Sequence, residues 1–365
     1  LNDINNIIYG GGIGLRTFIR ITILTTVIFF IMIYYYSVPQ DHSKPLKDDN
    51  HSIPPKIDYF INDEQSDETT RPKEGLSVYI GKKSKTLVED YGEPQRIDIS
   101  AYGYEWWIYK SFYGTYMQVG VLNDSVVTIY AIGNQLNVSP YKIGQSIEDI
   151  FRTTILETEI LVSKDGGTYR FELSEEDLNL RPLVQLGEIF VQLSIDKFSG
   201  TLSSIRFYDK NTLITQKPYE LVYHGDLLEP ADLDIQEWKE IENGAEQQIF
   251  DITNVIRNRL GLNALEWDDK LSKVAYDHSK DMFENSYLSH ESPEFGSLEE
   301  RLQEEEIEYQ TVAENIAEKY MDGPAVVEGW LNSDGHRKTL LDENYSKLGV
   351  GVFGKYYTQN FIQEK

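Results

Sequence analysis

Two histidines and one glutamate, each beside a turn or a helix start, concentrate the potential chemistry of this sequence between residues 290 and 336. His290 lies in Ser289-His290-Glu291-Ser292-Pro293, and Glu314 in Ala313-Glu314-Asn315-Ile316-Ala317. His336 closes the stretch in Asn332-Ser333-Asp334-Gly335-His336-Arg337. Neutral imidazoles with a carboxylate can bind Zn2+ or another divalent metal, leaving one position open to water. In that reading His290 and His336 hold the metal, and Glu314 serves as base or as a partner behind it. The same groups can equally form a hydrogen-bonded network without metal, or simply lock the loops that carry them. Ser333 stands three residues before His336, but no third residue is evident to orient that imidazole for a nucleophile–base pair. No helical His-Glu-x-x-His and no cysteine occurs.

The surrounding elements follow from periodicity and capping signals. Ile241, Phe250, Ile252, Val255, Ile256 and Leu260 form an apolar stripe over a helix near 235–260, ended by Gly261. A second helix is expected over 269–285, where His278 falls on the apolar face between Val274 and Met282 and reads as a satisfied core histidine. Ser297 and Glu300 fit a capping box opening a helix through about Glu305. The glutamates from Glu299 to Glu308 read as a solvated face, with loose calcium binding as the alternative. Glu314 sits in a short apolar segment, where a carboxylate needs a partner, and Asn315 can fix that segment through backbone hydrogen bonds. Pro324 favours a helix start that Trp330 anchors. Gly335 is expected to turn the chain before a last short helix opened by His336.

Upstream, Ile21 to Val38 carries no charge, roughly the shortest span for a transmembrane helix. Arg16 and Arg20 precede it and Tyr34, Tyr35 and Tyr36 end it, which favours an uncleaved anchor with the body outside. Residues 39–75 are polar and proline-bearing and read as a linker. An internal repeat then begins at Ile80-Gly81-Lys82-Lys83-Ser84 and again at Ile143-Gly144-Gln145-Ser146-Ile147, each serine suited to cap a helix. Strands are expected at 104–109, 116–122 and 126–131, and again at 169–173, 189–195 and 202–208. Two such copies can pair into one antiparallel sheet with helices on one face. Residues 221–246 read as a connector, with His224-Gly225-Asp226 as a turn.

A formal net charge of −26 lacks the clustered Lys and Arg that nucleic acid requires. The absence of cysteine in 365 residues points to a bacterial exported protein or a cytosolic one.

The stretches 257–267, 275–282 and 289–293, then Glu314-Asn315-Ile316-Ala317, 330–337, Gly349-Val350-Gly351 and Gln359-Asn360-Phe361, resemble in order the bacterial branch of the CAP superfamily. This is the SCP domain of cysteine-rich secretory, antigen 5 and pathogenesis-related proteins. The repeat region resembles in layout the domain that accompanies CAP domains in bacilli. The resemblance implies an α+β chain, with a C-terminal α-β-α sandwich preceded by an α+β domain of two repeats and an N-terminal transmembrane or signal helix. The implied division is 1–38 anchor, 39–75 linker, 76–220 repeat domain, 221–246 connector and 247–365 CAP domain. It also implies a cleft in which His290, Glu314 and His336 match three of four family positions, while the second glutamate is replaced by Ser333. That replacement weakens any mechanism needing both carboxylates. The expected function is a membrane-anchored or secreted module, bacterial and Gram-positive on this resemblance. It would bind an extracellular ligand such as a lipid, peptide or cell-wall component. A metal-dependent hydrolase acting on cell-wall or extracellular substrates, and a purely structural surface protein, are the alternatives.

Overall fold

The computed structural model describes residues 43–45, 70–230 and 232–365. The chain divides into two units, Leu1–Lys44 and Pro45–Lys365, and the account below concerns the second from residue 70 onward. The anchor expected over 1–38 and most of the linker lie outside the described residues. Among those described, no helix is long and apolar enough to cross a membrane.

The repeat region forms α1 (Ser84–Tyr91), β1 (Arg96–Ile99), β2 (Glu105–Tyr109), β3 (Met117–Leu122) and β4 (Ser125–Ala131). The second copy forms α2 (Ile147–Thr153), β5 (Glu159–Lys164), β6 (Gly167–Glu172), α3 (Glu175–Leu180), β7 (Leu183–Leu186), β8 (Ile189–Asp196), β9 (Thr201–Tyr208), α4 (Lys210–Gln216) and β10 (Glu220–His224). The two copies join through β4 and β9 in an antiparallel seven-stranded sheet, ordered β1-β2-β3-β4-β9-β8-β7. The six expected strands are present. β1, β5, β7 and β10 are additional, and β10, β6 and β5 pair in a second antiparallel sheet. The connector is therefore shorter than expected, because residues 220–224 are a strand and His224 is its last residue. The serine cap holds only in the second copy. Ser146 Oγ accepts from Asp149 N, whereas Ser84 is itself the first helical residue and Lys83 stands at the uncapped N-cap.

The C-terminal part contains α5 (Ile235–Arg259), β11 (Glu266–Trp267), α6 (Asp269–Glu284), α7 (Leu298–Glu304), β12 (Thr311–Glu318), α8 (Gly323–Leu331), α9 (Asp334–Leu340), β13 (Lys347–Phe353) and β14 (Tyr356–Gln363). Its sheet runs β11-β13-β14-β12, leaving β12 on an edge. Leu348, Val350 and Val352 on β13 pack with Ile249, Ile252, Val255 and Ile256 of α5. The opposite face of β13 carries glycines because α6 lies against its backbone. A Cβ on Gly351 would fall 1.9 Å from Tyr276 N, and one on Gly349 would fall 2.3 Å from the Leu271 carbonyl carbon. The result is the expected α-β-α sandwich.

The seven-stranded sheet is covered on both faces. Leu87 and Ile150 of α1 and α2 pack on one face. Tyr104, Trp106, Ile108, Tyr116, Tyr130 and Ile132 on the other share one core with α5, α8 and β13. Buried ion pairs brace this junction. Arg206 donates to both oxygens of Asp322 (2.7 and 3.1 Å), and Arg337 to both of Asp196 (2.8 and 3.0 Å).

Candidate functional site

Glu314 is a strand residue of β12, not part of a loop, and its side chain is only 3% exposed. Strand register places it opposite Asn360 on the face toward α6, while Asn315 and Gln359 face α5. A buried carboxylate requires compensation, and three elements supply it. Arg301 of α7 donates from Nη2 to Glu314 Oε2 at 2.6 Å. His290, on the loop after α6, brings Nδ1 to 3.0 Å from Glu314 Oε1. His278 of α6 places Nε2 3.8 Å from that same oxygen.

Arg301 also organises the loop that presents His290. Its Nη1 donates to the carbonyls of His290 (3.0 Å) and Gly296 (3.2 Å). Asp281 holds the loop from below, accepting from Ser292 Oγ and Asn285 Nδ2, each at 2.7 Å, and from the Tyr287 hydroxyl. Burial opposes that carboxylate, yet these hydrogen bonds keep Asp281 below the ordinary range. The capping box of Ser297 and Glu300 is present and starts α7 in the orientation that aims Arg301 at Glu314.

His336 joins from the other side. Asn315 Nδ2 donates to its backbone carbonyl at 3.2 Å, so the expected fixing role of Asn315 is met across strand and helix. Burial lowers the His336 pKa, and the nearby His290 lowers it further, so this imidazole favours its neutral form. Gly335 does not make the expected turn, since it lies inside α9 without a positive φ. Ser333 stands at the N-cap of α9 with no side-chain capping bond, and no hydrogen bond joins it to His336 among the described residues. Its neighbours are committed to the repeat domain. Asn332 donates to Ile195 O (2.8 Å) and accepts from Lys197 N (2.9 Å), while Arg337 pairs with Asp196.

The arrangement differs from the three-residue cleft in two ways. Arg301 was hidden as the single basic residue in the run 298–308; its position four residues after the N-cap Ser297 was the available signal. His278 is buried as expected but is not fully satisfied. Nε2 lies 3.0 Å from Ser289 O, while Nδ1 has no hydrogen-bond partner among the described residues. Burial is the main cause of its lowered pKa. Arg301 Nε and both amide atoms of Asn360 are likewise buried and unpartnered. Several such atoms around one carboxylate are the kind of setting in which buried water is found.

Among the described residues, no group of three or more His, Cys, Asp or Glu side chains is arranged to hold a metal ion. With Glu314 engaged by Arg301 and His290, two imidazoles remain, one fewer than a catalytic zinc normally takes from the protein. The acidic run does not gather into a calcium site either. Glu300 caps α7, Glu305 pairs with Lys273 and Glu308 with Lys365.

Both parts of the chain match known protein families. The cysteine-rich secretory protein family (CAP) matches residues 250–364, and the CAP-associated N-terminal family matches 80–219. The chain is 48% identical over 338 residues to the "Uncharacterized membrane protein YlbC" of Bacillus subtilis (strain 168), covering 92% of this chain and 94% of that one. A crystal structure of an SCP-domain extracellular protein from Bacillus anthracis superposes with a TM-score of 0.77 at 45% identity, covering 80% of this chain and 96% of that one. A cysteine-rich secretory protein from Staphylococcus aureus superposes with a TM-score of 0.72 at 31% identity, covering 81% and 98%.

Proposed function

This chain belongs to the cysteine-rich secretory protein (CAP) family, and from that premise we propose that it is a binding module working outside the cell membrane. Its His290–Glu314–His336 cleft serves as a preformed recognition surface. The observation that carries this reading is the engagement of both Glu314 oxygens by Arg301 and His290. A general base needs a carboxylate that can reach and accept a proton. This one is held against a guanidinium on a rigid strand, and no activated nucleophile stands beside it. The cleft therefore offers shape, two imidazoles and a serine hydroxyl. Such groups select a ligand by hydrogen bonding and stacking. The relatives described as a membrane protein and as an extracellular protein support a location outside the membrane. Bacterial relatives support a bacterial source.

The metal-dependent hydrolase remains the second reading, with His290 and His336 as its metal donors, but the committed Glu314 leaves its donor set short. One experiment separates the two. The full chain is assayed for retention on purified bacterial cell walls and on phospholipid vesicles, alongside zinc content and casein hydrolysis. The binding reading expects retention that weakens in both His290→Ala and His336→Ala, with no turnover. Casein hydrolysis that is lost in Glu314→Gln would overturn it in favour of the hydrolase.

A further inference from the structure

Ser333 and His336 sit on the α8–α9 corner, and the bonds that hold this corner come unequally from the two domains. The far end of α9 is fixed within the CAP domain. Leu340 is buried, and Arg257 of α5 donates from Nη1 to the carbonyls of Leu340 and Asp342, each at 2.9 Å. The near end carries the two cleft residues. From the CAP sheet it receives the bond of Asn315 Nδ2 to the His336 carbonyl, at 3.2 Å. A denser set reaches it from the turn between β8 and β9 of the repeat domain. Asn332 donates to Ile195 O (2.8 Å) and accepts from Lys197 N (2.9 Å), and both terminal nitrogens of Arg337 donate to Asp196 (2.8 and 3.0 Å).

Asp196 is oriented by its own turn before it meets Arg337. Its Oδ1 accepts from Phe198 N (3.0 Å), its Oδ2 from Ser199 Oγ (2.9 Å), and its carbonyl from Gly200 N (2.8 Å). The turn is tied to the start of α2, where Ile147 N donates to Gly200 O at 2.9 Å. The Asp196 side chain is 5% exposed and that of Arg337 16%, so their pairing is shielded from water. Two parallel bonds fix a direction as well as a distance. Phe198 covers the Arg337 guanidinium, with its ring centre 4.8 Å away. Arg337 passes this anchorage on to α8 by donating to Leu331 O (3.1 Å). Ser333, by contrast, makes no side-chain capping bond. The stretch from Ser333 to His336 is thus strung between Asn332 and Arg337, and one turn of the other domain holds both.

We propose that Asp196 is a positioning residue of the cleft: through Arg337 it sets where Ser333 and His336 stand relative to His290 and Glu314. The cleft is then built by both domains, with the repeat domain fixing one of its walls. The functional meaning of this role rests on the cleft being a recognition surface, whereas the geometry can be tested without any ligand.

The test uses the full chain and diethylpyrocarbonate, with carbethoxylation of each histidine followed by mass spectrometry. His290 is the internal reference, because Arg301 and Asp281 hold its loop within the CAP domain. Freed from Asp196, the near end of α9 opens locally, so Asp196→Ala should speed modification of His336 by about threefold or more and leave His290 unchanged. Arg337→Ala should do the same, and the double variant should do no more than either single one. Arg337→Ala leaves Asp196 bonded within its own turn and decides the matter should Asp196→Ala not fold. Arg206→Met is the control. It breaks the other buried pair of the junction, with Asp322 at the opposite end of α8, and should leave His336 as it is. Retention on cell walls should fall in Asp196→Ala as it does in His336→Ala. If the unsubstituted chain is not retained at all while Asp196→Ala still exposes His336, the recognition reading falls and the positioning role stands. An unchanged rate at His336 in Asp196→Ala and Arg337→Ala would overturn the inference. So would His336 being exposed as much by Arg206→Met as by Asp196→Ala.

Discussion

Replacing Arg301 by Met tests the central feature of the cleft, because it keeps the length and apolar stem of the side chain while deleting its charge. The guanidinium is 6% exposed and donates to Glu314 Oε2 and to the carbonyls of His290 and Gly296. Its removal leaves a carboxylate with a 3% exposed side chain facing only imidazole partners. Breaking a buried pair in this way costs about 3–5 kcal/mol. The loss should lower the melting temperature by on the order of 10 °C. The core shared between the two domains should keep unfolding to one transition, so urea denaturation can be read as a free energy. The decisive measurement is a double-mutant cycle with Glu314→Gln. Once both charges are gone no ion remains stranded, so the double variant should recover most of the loss, with a coupling of about 2 kcal/mol or more. A cost for Arg301→Met below about 1 kcal/mol, or a cycle additive within about 0.5 kcal/mol, would refute the reasoning. Glu314 would then be free of its clamp, and the argument against a base at this position would fall with it.

Two further predictions concern the frame. Burial pushes the Glu246 carboxyl up to about 7 from its ordinary 4.5, only partly offset by its hydrogen bond to Val352 N and by Lys239. The folded chain therefore holds a proton there that the unfolded chain has released, so stability is lost as pH rises from 4.5 to 7, by roughly 3 kcal/mol. Glu246→Gln should flatten the urea midpoint across that window and raise it at pH 8; an unchanged slope counts against the assignment. Gly351→Ala should cost at least about 3 kcal/mol, since the atoms it meets are α6 backbone that cannot rotate aside. Gly335→Ala, with nothing within 4 Å of its Cβ, should be neutral or stabilise by up to about 1 kcal/mol, and comparing the two melting curves checks both.

How much of this was legible in the sequence depended on whether the cause of a feature was local. The long helices α5 and α6 carry their own apolar stripes, and the Ser297–Glu300 box marks the start of α7, so all three could be read directly. β12 resisted because Glu314 and Asn315 point to opposite faces and each is a polar residue held by tertiary partners, which erases the alternation that marks a strand. Arg301 resisted for a related reason. Its partners lie 13 and 11 residues away, and nothing in a run of glutamates distinguishes an ion-paired arginine from a solvated one. The junction between the domains did leave a trace. In Glu105-Trp106-Trp107-Ile108-Tyr109 both faces of the strand are apolar, the pattern of a sheet covered twice. Trp106 and Ile108 indeed meet the CAP domain, while Tyr109 faces the helices of the repeat domain. That double cover changes what the repeat domain does. Through Asp196 and the Ile195 carbonyl it grips Arg337 and Asn332, the residues flanking Ser333 and His336. The α8–α9 corner of the cleft is thus positioned from outside the CAP domain. A substitution in β8 of the repeat domain can therefore reach the cleft without touching any residue in it.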